Sequence, residues 1–217
     1  MWYNINMKLL DKIRANITSA KFDLAFNKLC KSGKAKPFDD EFFAKFEGMY
    51  YHGLPVYYYL CDMMSNGRCY DASAVLGLAM GEGAYVCRGH IDSQYGYWKG
   101  KTGHGWVETD TLVYDTTFKI ICKKEDYYKV FKARLSSKRD YETHREDMSK
   151  ITDVSIHDKK WFEENAGFSN LLIFQVRELE KLKLESKNTS EEEKDFARKV
   201  LNDLPNTKLE DVSNLEA

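Results

Sequence analysis

The sequence predicts an α+β fold, on three observations. Apolar residues recur at helical spacing towards both ends of the chain, while between about residues 84 and 118 they alternate with period two. Helical, then strand, then helical segments in chain order is the α+β pattern, not the strict βαβ alternation of a parallel sheet. A hydrophobic content of 43%, with 14% aromatics, in 217 residues suffices for one sizeable core and excludes global disorder.

The elements follow in order. "TSAKFDLAFNKLCKSGK" reads as an amphipathic helix, with Thr18 or Ser19 as cap, Phe22, Ala25, Phe26 and Leu29 as its stripe, and Gly33 as its stop. "DDEFFAKFEG" is a shorter helix, with acids where the helix dipole favours them and Gly48 at its end. "LPVYYYLCDMMSNG" is apolar and aromatic, its type is open, and it ends at the turn signal Asn66-Gly67. From Cys69 to Met80 a run of small and branched apolar residues stopped by Gly81 predicts a buried helix. "AYVCRGHI", "GHGWVE" and "LVYDTTF" read as strands. Residues 123–150 are mixed and charged and give no assignment. "WFEENAGFSNLLIFQVRELEKLKLE" reads as a longer helix. "NTSEEEKDFARKVLNDLP" is a capped surface helix, and "NTKLEDVSNLEA" a frayed end. The expected organisation is N-terminal helices over 1–35, a catalytic core over 36–135 and a helical extension over 136–217, packed as one compact domain.

Composition removes several function classes. With 33 basic against 34 acidic residues there is no basic excess of the kind phosphate-backbone binding requires, so no nucleic-acid partner is expected. No apolar run approaches the ~18 residues of a membrane span, and Asp11, Lys12 and Arg14 interrupt the start where a signal peptide would be apolar. The cysteines (Cys30, Cys61, Cys69, Cys87, Cys122) are odd in number and without a CxxC pair, which points to a reducing, cytoplasmic setting, with signal-free export as the other route.

Chemistry concentrates on Cys69, His104 and Asp115. Cys69 stands at a predicted helix entrance, where unpaired N–H groups and the helix dipole favour a thiolate. "GHGWVETDTLVYDTTF" predicts a hairpin with Thr109-Asp110 at its tip, so that paired residue numbers add to 219. His104 then faces Asp115 across the ladder on one face of the sheet. An Asp beside a His orients the ring and stabilises the imidazolium, and such a His serves a nearby thiol. Trp106 shares the His104 face, where it packs beside the site. Glu108 is expected to face solvent, and the Tyr50, Tyr51, Tyr57, Tyr58, Tyr59 cluster to build core and cleft wall. A zinc set of Cys87 and His90 with Cys69 or Cys61 and His104 is the rival from another class. A three-residue offset along a strand puts Cys87 and His90 on opposite faces, so no metal is expected.

These residues carry a family resemblance. Gly67-Arg68-Cys69-Tyr70-Asp71-Ala72 resembles the active-site segment of the transglutaminase-like superfamily, in which G-x-C precedes an acidic and a small residue. "GAYVCRGHI" resembles the strand after its helix, "GHGWVE" its H-x-W-V-E strand and "VYDTTF" its D-x-T strand. Spacings of 35 residues from Cys69 to His104 and 11 to Asp115 fit the family. The match covers roughly residues 60–120. It implies a papain-like α+β core, an active-site helix packed on an antiparallel sheet, a Cys69-His104-Asp115 triad and amide-bond chemistry through a thioester, without cofactor. One departure is visible: many relatives place a Trp or Gln before the cysteine to help hold the oxyanion, and no Trp lies between Trp2 and Trp98, nor any Gln before Gln94. The Cys69 backbone N–H is one oxyanion donor, and Tyr57, Tyr58, Tyr59 or Asn66 is the candidate second. Gly67, Arg68, Gly103 and Trp106 are candidates to line the substrate cleft.

The expected function is hydrolysis of a peptide or isopeptide bond in a peptide or protein substrate. Amine transfer to glutamine, or deamidation, is the alternative within the class, and a non-catalytic binding or scaffold module the alternative outside it.

Overall fold

Period-two segments become strands of one six-stranded antiparallel sheet in the computed structural model of the chain, which describes residues 20–62, 68–92, 102–165 and 170–204. A helix over residues 20–31 (α1) leads into β1 (Ala35–Pro37), α2 (Asp40–Ala44) and a small separate hairpin of β2 (Tyr50–Tyr51) and β3 (Leu54–Pro55). Helices α3 (Val56–Asp62) and α4 (Cys69–Met80) follow. The meander β4 (Tyr85–Ile91), β5 (Thr102–Glu108), β6 (Leu112–Asp115) and β7 (Ile120–Lys123) comes next. The chain ends in α5 (Lys124–Phe131), β8 (Arg134–Asp140), α6 (Tyr141–Ser149), α7 (Lys159–Asn165), α8 (Asn170–Glu185) and α9 (Glu191–Asp203). Sheet order is β1-β7-β6-β5-β4-β8, so β1 extends the meander at one edge and β8 at the other.

Strand alternation divides the apolar residues into two layers. Val86, Val107, Tyr114 and Ile121 share one face by register, and over it lies a core drawn from α2, α3, α4, α8 and α9. Cys87, Trp106, Val113, Ile120 and Cys122 take the other face, beneath Phe22 and Leu29 of α1 and Tyr127 and Phe131 of α5. The α4 helix is buried from Ala72 to Leu78, and small residues let it lie close on the sheet. A Cβ on Gly77 would come within 2.3 Å of Val86 Cγ2.

Local sequence explains the helix starts. Asp39 caps α2 by accepting the Phe42 N–H at 2.9 Å. Ser190 and Glu193 form a reciprocal capping box on α9, as the Ser-Glu-Glu-Glu run predicts. The undecided tyrosine-rich stretch is helical as α3. The unassigned span 123–150 contains α5, β8 and α6. Only Tyr127 and Phe131 of α5 are buried, and β8, "RLSSKRD", is polar on both faces, so neither carries a strong period. Basic side chains on such an edge also discourage strand addition.

The expected boundary at 135/136 falls inside β8, so the segment that follows it begins as a sheet strand and not as a helical extension. Ile173, Val176, Val200 and Leu204 belong to the same core as Leu60 and Leu76. Tyr50 and Tyr57 each bond Asp203 at 2.7 Å, tying the end of α9 to that core. The proposed caps Thr18 and Ser19, residues 166–169 of the long helix and the expected frayed end lie outside the described residues. Among the described residues no helix is long and apolar enough to cross a membrane.

Gly77→Ala sets a gain in helix propensity of about 1 kcal/mol against a methyl that stiff Val86 cannot accommodate. Overpacking of this kind costs about 1–3 kcal/mol, so the denaturation midpoint should fall. A midpoint at or above that of the parent would show that β4 yields to the helix.

Candidate active site

Cys69 is the first residue of α4. Arg68 occupies the N-cap without a side-chain capping bond, and the first turn is closed by the Ala72 N–H on the Arg68 carbonyl at 3.0 Å. Among the described residues no side chain caps the N–H groups of the first turn, which present the positive end of the helix beside the thiol. Two glycines bring β5 to this turn. A Cβ on Gly105 would lie 3.0 Å from the Cys69 carbonyl oxygen and 2.7 Å from Ser73 Oγ, and one on Gly103 would lie 2.9 Å from the Tyr70 hydroxyl. His104 sits between them, buried, and is delivered to Cys69 by that close approach.

The hairpin that carries His104 and Asp115 differs in register from the expectation. Val107 pairs with Tyr114 and Glu108 with Val113, so paired numbers add to 221 rather than 219. The turn between them is closed by the Thr109 N–H on the Leu112 carbonyl at 2.9 Å and the Leu112 N–H on Thr109 Oγ1 at 3.3 Å. A shift of two keeps the face of every side chain. His104 and Asp115 are therefore diagonal neighbours instead of directly opposed ones, and they still meet. His104 Nε2 donates to Asp115 Oδ2 at 2.8 Å, with both side chains almost wholly removed from solvent.

Every side of the Asp115 carboxylate faces a donor. Oδ2 also accepts from the Tyr127 hydroxyl at 2.7 Å, and Oδ1 accepts from the N–H groups of Thr117 and Phe118 at 2.9 and 3.1 Å. Phe118 stands edge-on to the His104 ring, and Trp106 stacks near-parallel to it at 6.2 Å. With Nε2 committed to Asp115, Nδ1 is the nitrogen left for the thiol.

Electrostatics follow from this arrangement. Burial works to raise the Cys69 thiol, but a hydrogen bond from His104, the charge of His104 and the Gly105 N–H outweigh it and hold the thiol below its ordinary value. For His104, burial favours the neutral ring, yet the charge and hydrogen bond of Asp115, with further help from Cys69, push it up to about 10. Both shifts favour a thiolate–imidazolium pair. Three other cysteines behave oppositely: burial drives Cys87 and Cys122 up to about 12 and raises Cys30.

The remaining candidates divide. Arg68 is exposed beside the thiol and bridges to Asp71 at 2.9 Å. Gly103 is exposed against Tyr70, as a cleft residue would be. Trp106 is not a cleft residue, because it is fully buried and donates its Nε1–H to Glu108 Oε1 at 3.0 Å. Glu108 does not face solvent. It is buried on the His104 face, where the Tyr128 hydroxyl (2.7 Å), Lys124 (2.9 Å) and Lys138 (3.3 Å) surround it. Strand alternation from His104 through Trp106 to Glu108 already places it inward.

Tyr57 and Tyr58 are not oxyanion donors, since their hydroxyls reach Asp203 and Glu180 on the C-terminal helices. Tyr59 is buried edge-on to Tyr51 and lies within the field of Arg68, on the α4-entrance side. Asn66 and Gly67 fall outside the described residues. Cys87 is buried under Trp106 while His90 is exposed on the opposite face of β4, so the two do not converge. Tyr127 is the residue that motif reading missed. Its only signal is the i, i+4 spacing with Phe131 that turns it inward.

No protein-family model, curated protein or solved structure matches the chain.

At pH 6 an ordinary thiol is less than about 1% ionised. Iodoacetamide should nonetheless alkylate Cys69 there ahead of Cys30, although Cys30 is exposed and Cys69 buried. Peptide mapping that finds Cys30 modified first would remove the thiolate from the site.

Proposed function

We propose that the chain is a thiol enzyme of transglutaminase-like type, with a papain-like arrangement of helix and sheet, that hydrolyses amide bonds in peptides or proteins. The observation that carries this reading is the buried His104–Asp115 contact at 2.8 Å, set beside a thiol at a helix entrance. The chemistry follows from the parts. The Cys69 thiolate attacks the amide carbonyl carbon, and the π electrons move to the oxygen, near the free N–H groups of the first turn. As the C–N bond breaks, the imidazolium of His104 gives its proton to the departing nitrogen and a thioester remains. Water then attacks the thioester carbonyl and passes a proton to His104, and the C–S bond breaks to restore the thiolate. Asp115 holds the ring in place through both halves.

Five free cysteines accord with a cytoplasmic, reducing setting for such an enzyme. Hydrolysis is preferred over amine transfer because the second nucleophile is then water, which needs no acceptor subsite.

The decisive experiment offers peptide, isopeptide and glutamine-containing protein substrates together with a fluorescent primary amine. Release of peptide or ammonia with little amine incorporated is expected, and Cys69→Ala should abolish it. Strong amine incorporation would make the chain a transferase. Neither product, with no acyl group found on Cys69, would make it a binding module. Turnover should rise as pH climbs through the lowered Cys69 value and fall as pH passes about 10, where His104 loses its proton. Asp115→Asn should retain the fold and lose turnover by up to about 10⁴-fold, the loss known for a serine triad. Asp110→Asn, in the exposed hairpin loop, should change little.

A further inference from the structure

Tyr127 has no role in the reaction above, yet its hydroxyl shares one oxygen with His104. It reaches Asp115 Oδ2 from α5 at 2.7 Å, while His104 reaches the same atom from β5 at 2.8 Å. The ring is fully buried, stacked on Phe131 at 4.4 Å and tilted against Trp106 at 5.7 Å, so the hydroxyl has no water to turn to. A buried hydroxyl aimed at an acceptor is held there, since leaving it unpaired would be costly.

A carboxylate oxygen that accepts a second hydrogen bond offers less of its charge to the first donor. We propose that Tyr127 is a positioning residue that takes up part of the Asp115 charge and so sets how readily His104 gives up its proton. This rests on the thiol-enzyme reading. An imidazolium held too strongly by its carboxylate is a poor acid towards the departing amine. The hydroxyl on Oδ2 relieves that hold, while the two backbone donors on Oδ1 keep the carboxylate from rotating.

The groups facing this cluster are few. Cys69 comes from α4, His104 from β5, Asp115 from β6, Cys122 from β7, and Tyr127 with Tyr128 from α5. Burial keeps the Cys122 thiol and the Tyr127 hydroxyl protonated past the His104 midpoint, so a titration seen at His104 reports its own ring and the coupled thiol.

The test follows the His104 ring by NMR in protein labelled with 15N-histidine, assigned with His104→Gln. Tyr127→Phe keeps the ring in its aromatic pocket and removes one hydroxyl. Its His104 midpoint should move up by about half to one pH unit, with kcat lowered and KM little changed. A midpoint that stays put or falls overturns the proposal. If that variant does not fold, 3-fluorotyrosine at position 127, a stronger donor of nearly the same size, should lower the midpoint, and no movement there overturns the proposal equally. Alkylation of Cys69 at pH 6 in the unsubstituted protein separates the two levels. Failure to label there defeats the thiol-enzyme reading, whereas labelling with an unmoved His104 midpoint defeats only the role of Tyr127.

Discussion

A carboxylate taken wholly out of water must be met by donors on all sides, and the burial of Asp115 imposes that demand on much of this fold. Two of its four partners are local, the Thr117 and Phe118 N–H groups of the turn that ends β6. The other two are distant: His104 lies 11 residues before it and Tyr127 12 residues after. Satisfying them requires that β5 run alongside β6 and that α5 fold back over the same sheet face. The aromatic layer of Trp106, Phe118, Tyr127 and Phe131 keeps water from competing for those bonds. Their order is also what makes the pair chemically useful, because in a dry site the Asp115 charge reaches His104 with little screening.

The thiol arrives from the opposite face of the sheet, by a different constraint. Helix α4 approaches β4 and β5 closely enough that a Cβ at Gly77 or Gly105 would collide with its neighbours. Larger residues would lift the helix and carry Cys69 away from His104. Small side chains in α4 and glycines in β5 are thus packing features that set the distance between the thiol and the imidazole. Arg68 gives the first turn no side-chain cap, which forgoes about 1 kcal/mol of capping. That loss keeps the N–H groups available to a thiolate or an oxyanion, a trade of stability for function.

These constraints explain how much of the protein could be read from its residues. Cys69, His104 and Asp115 were legible because each lies in a segment with a strong local signal: a buried helix stopped by Gly81, and two alternating strands. The hairpin register was not legible, because Thr-Asp-Thr does not specify a loop length as Asn-Gly would. The conclusion survived that error because a register shift of two preserves the side-chain face, and a shift of one would have reversed it. Tyr127 and β8 were illegible for another reason. In "KEDYYKVF" the tyrosine that reaches Asp115 is indistinguishable from the neighbour that reaches Glu108 until tertiary packing places them, and the polar edge strand has no buried face to announce it. Glu108 was misread for want of applying along β5 the alternation already used for His104.

Glu108 and Asp115 together show how two buried carboxylates on one sheet face can act differently on their partners. Both are buried on the same sheet face, and both accept from a tyrosine of α5, Tyr128 and Tyr127 respectively. Glu108 spends its charge on the Trp106 N–H and on two lysines, and its hydrogen bond to Lys124 pushes that ammonium further towards its charged form. Those contacts hold it ionised against the burial that opposes charge. Asp115 spends its charge on an imidazole, the one ordinary side chain that gains and loses a proton near neutrality. Adjacent tyrosines, adjacent strands and equal burial thus support two different jobs. The difference lies in whether the cation opposite can let its proton go, and that cation is His104.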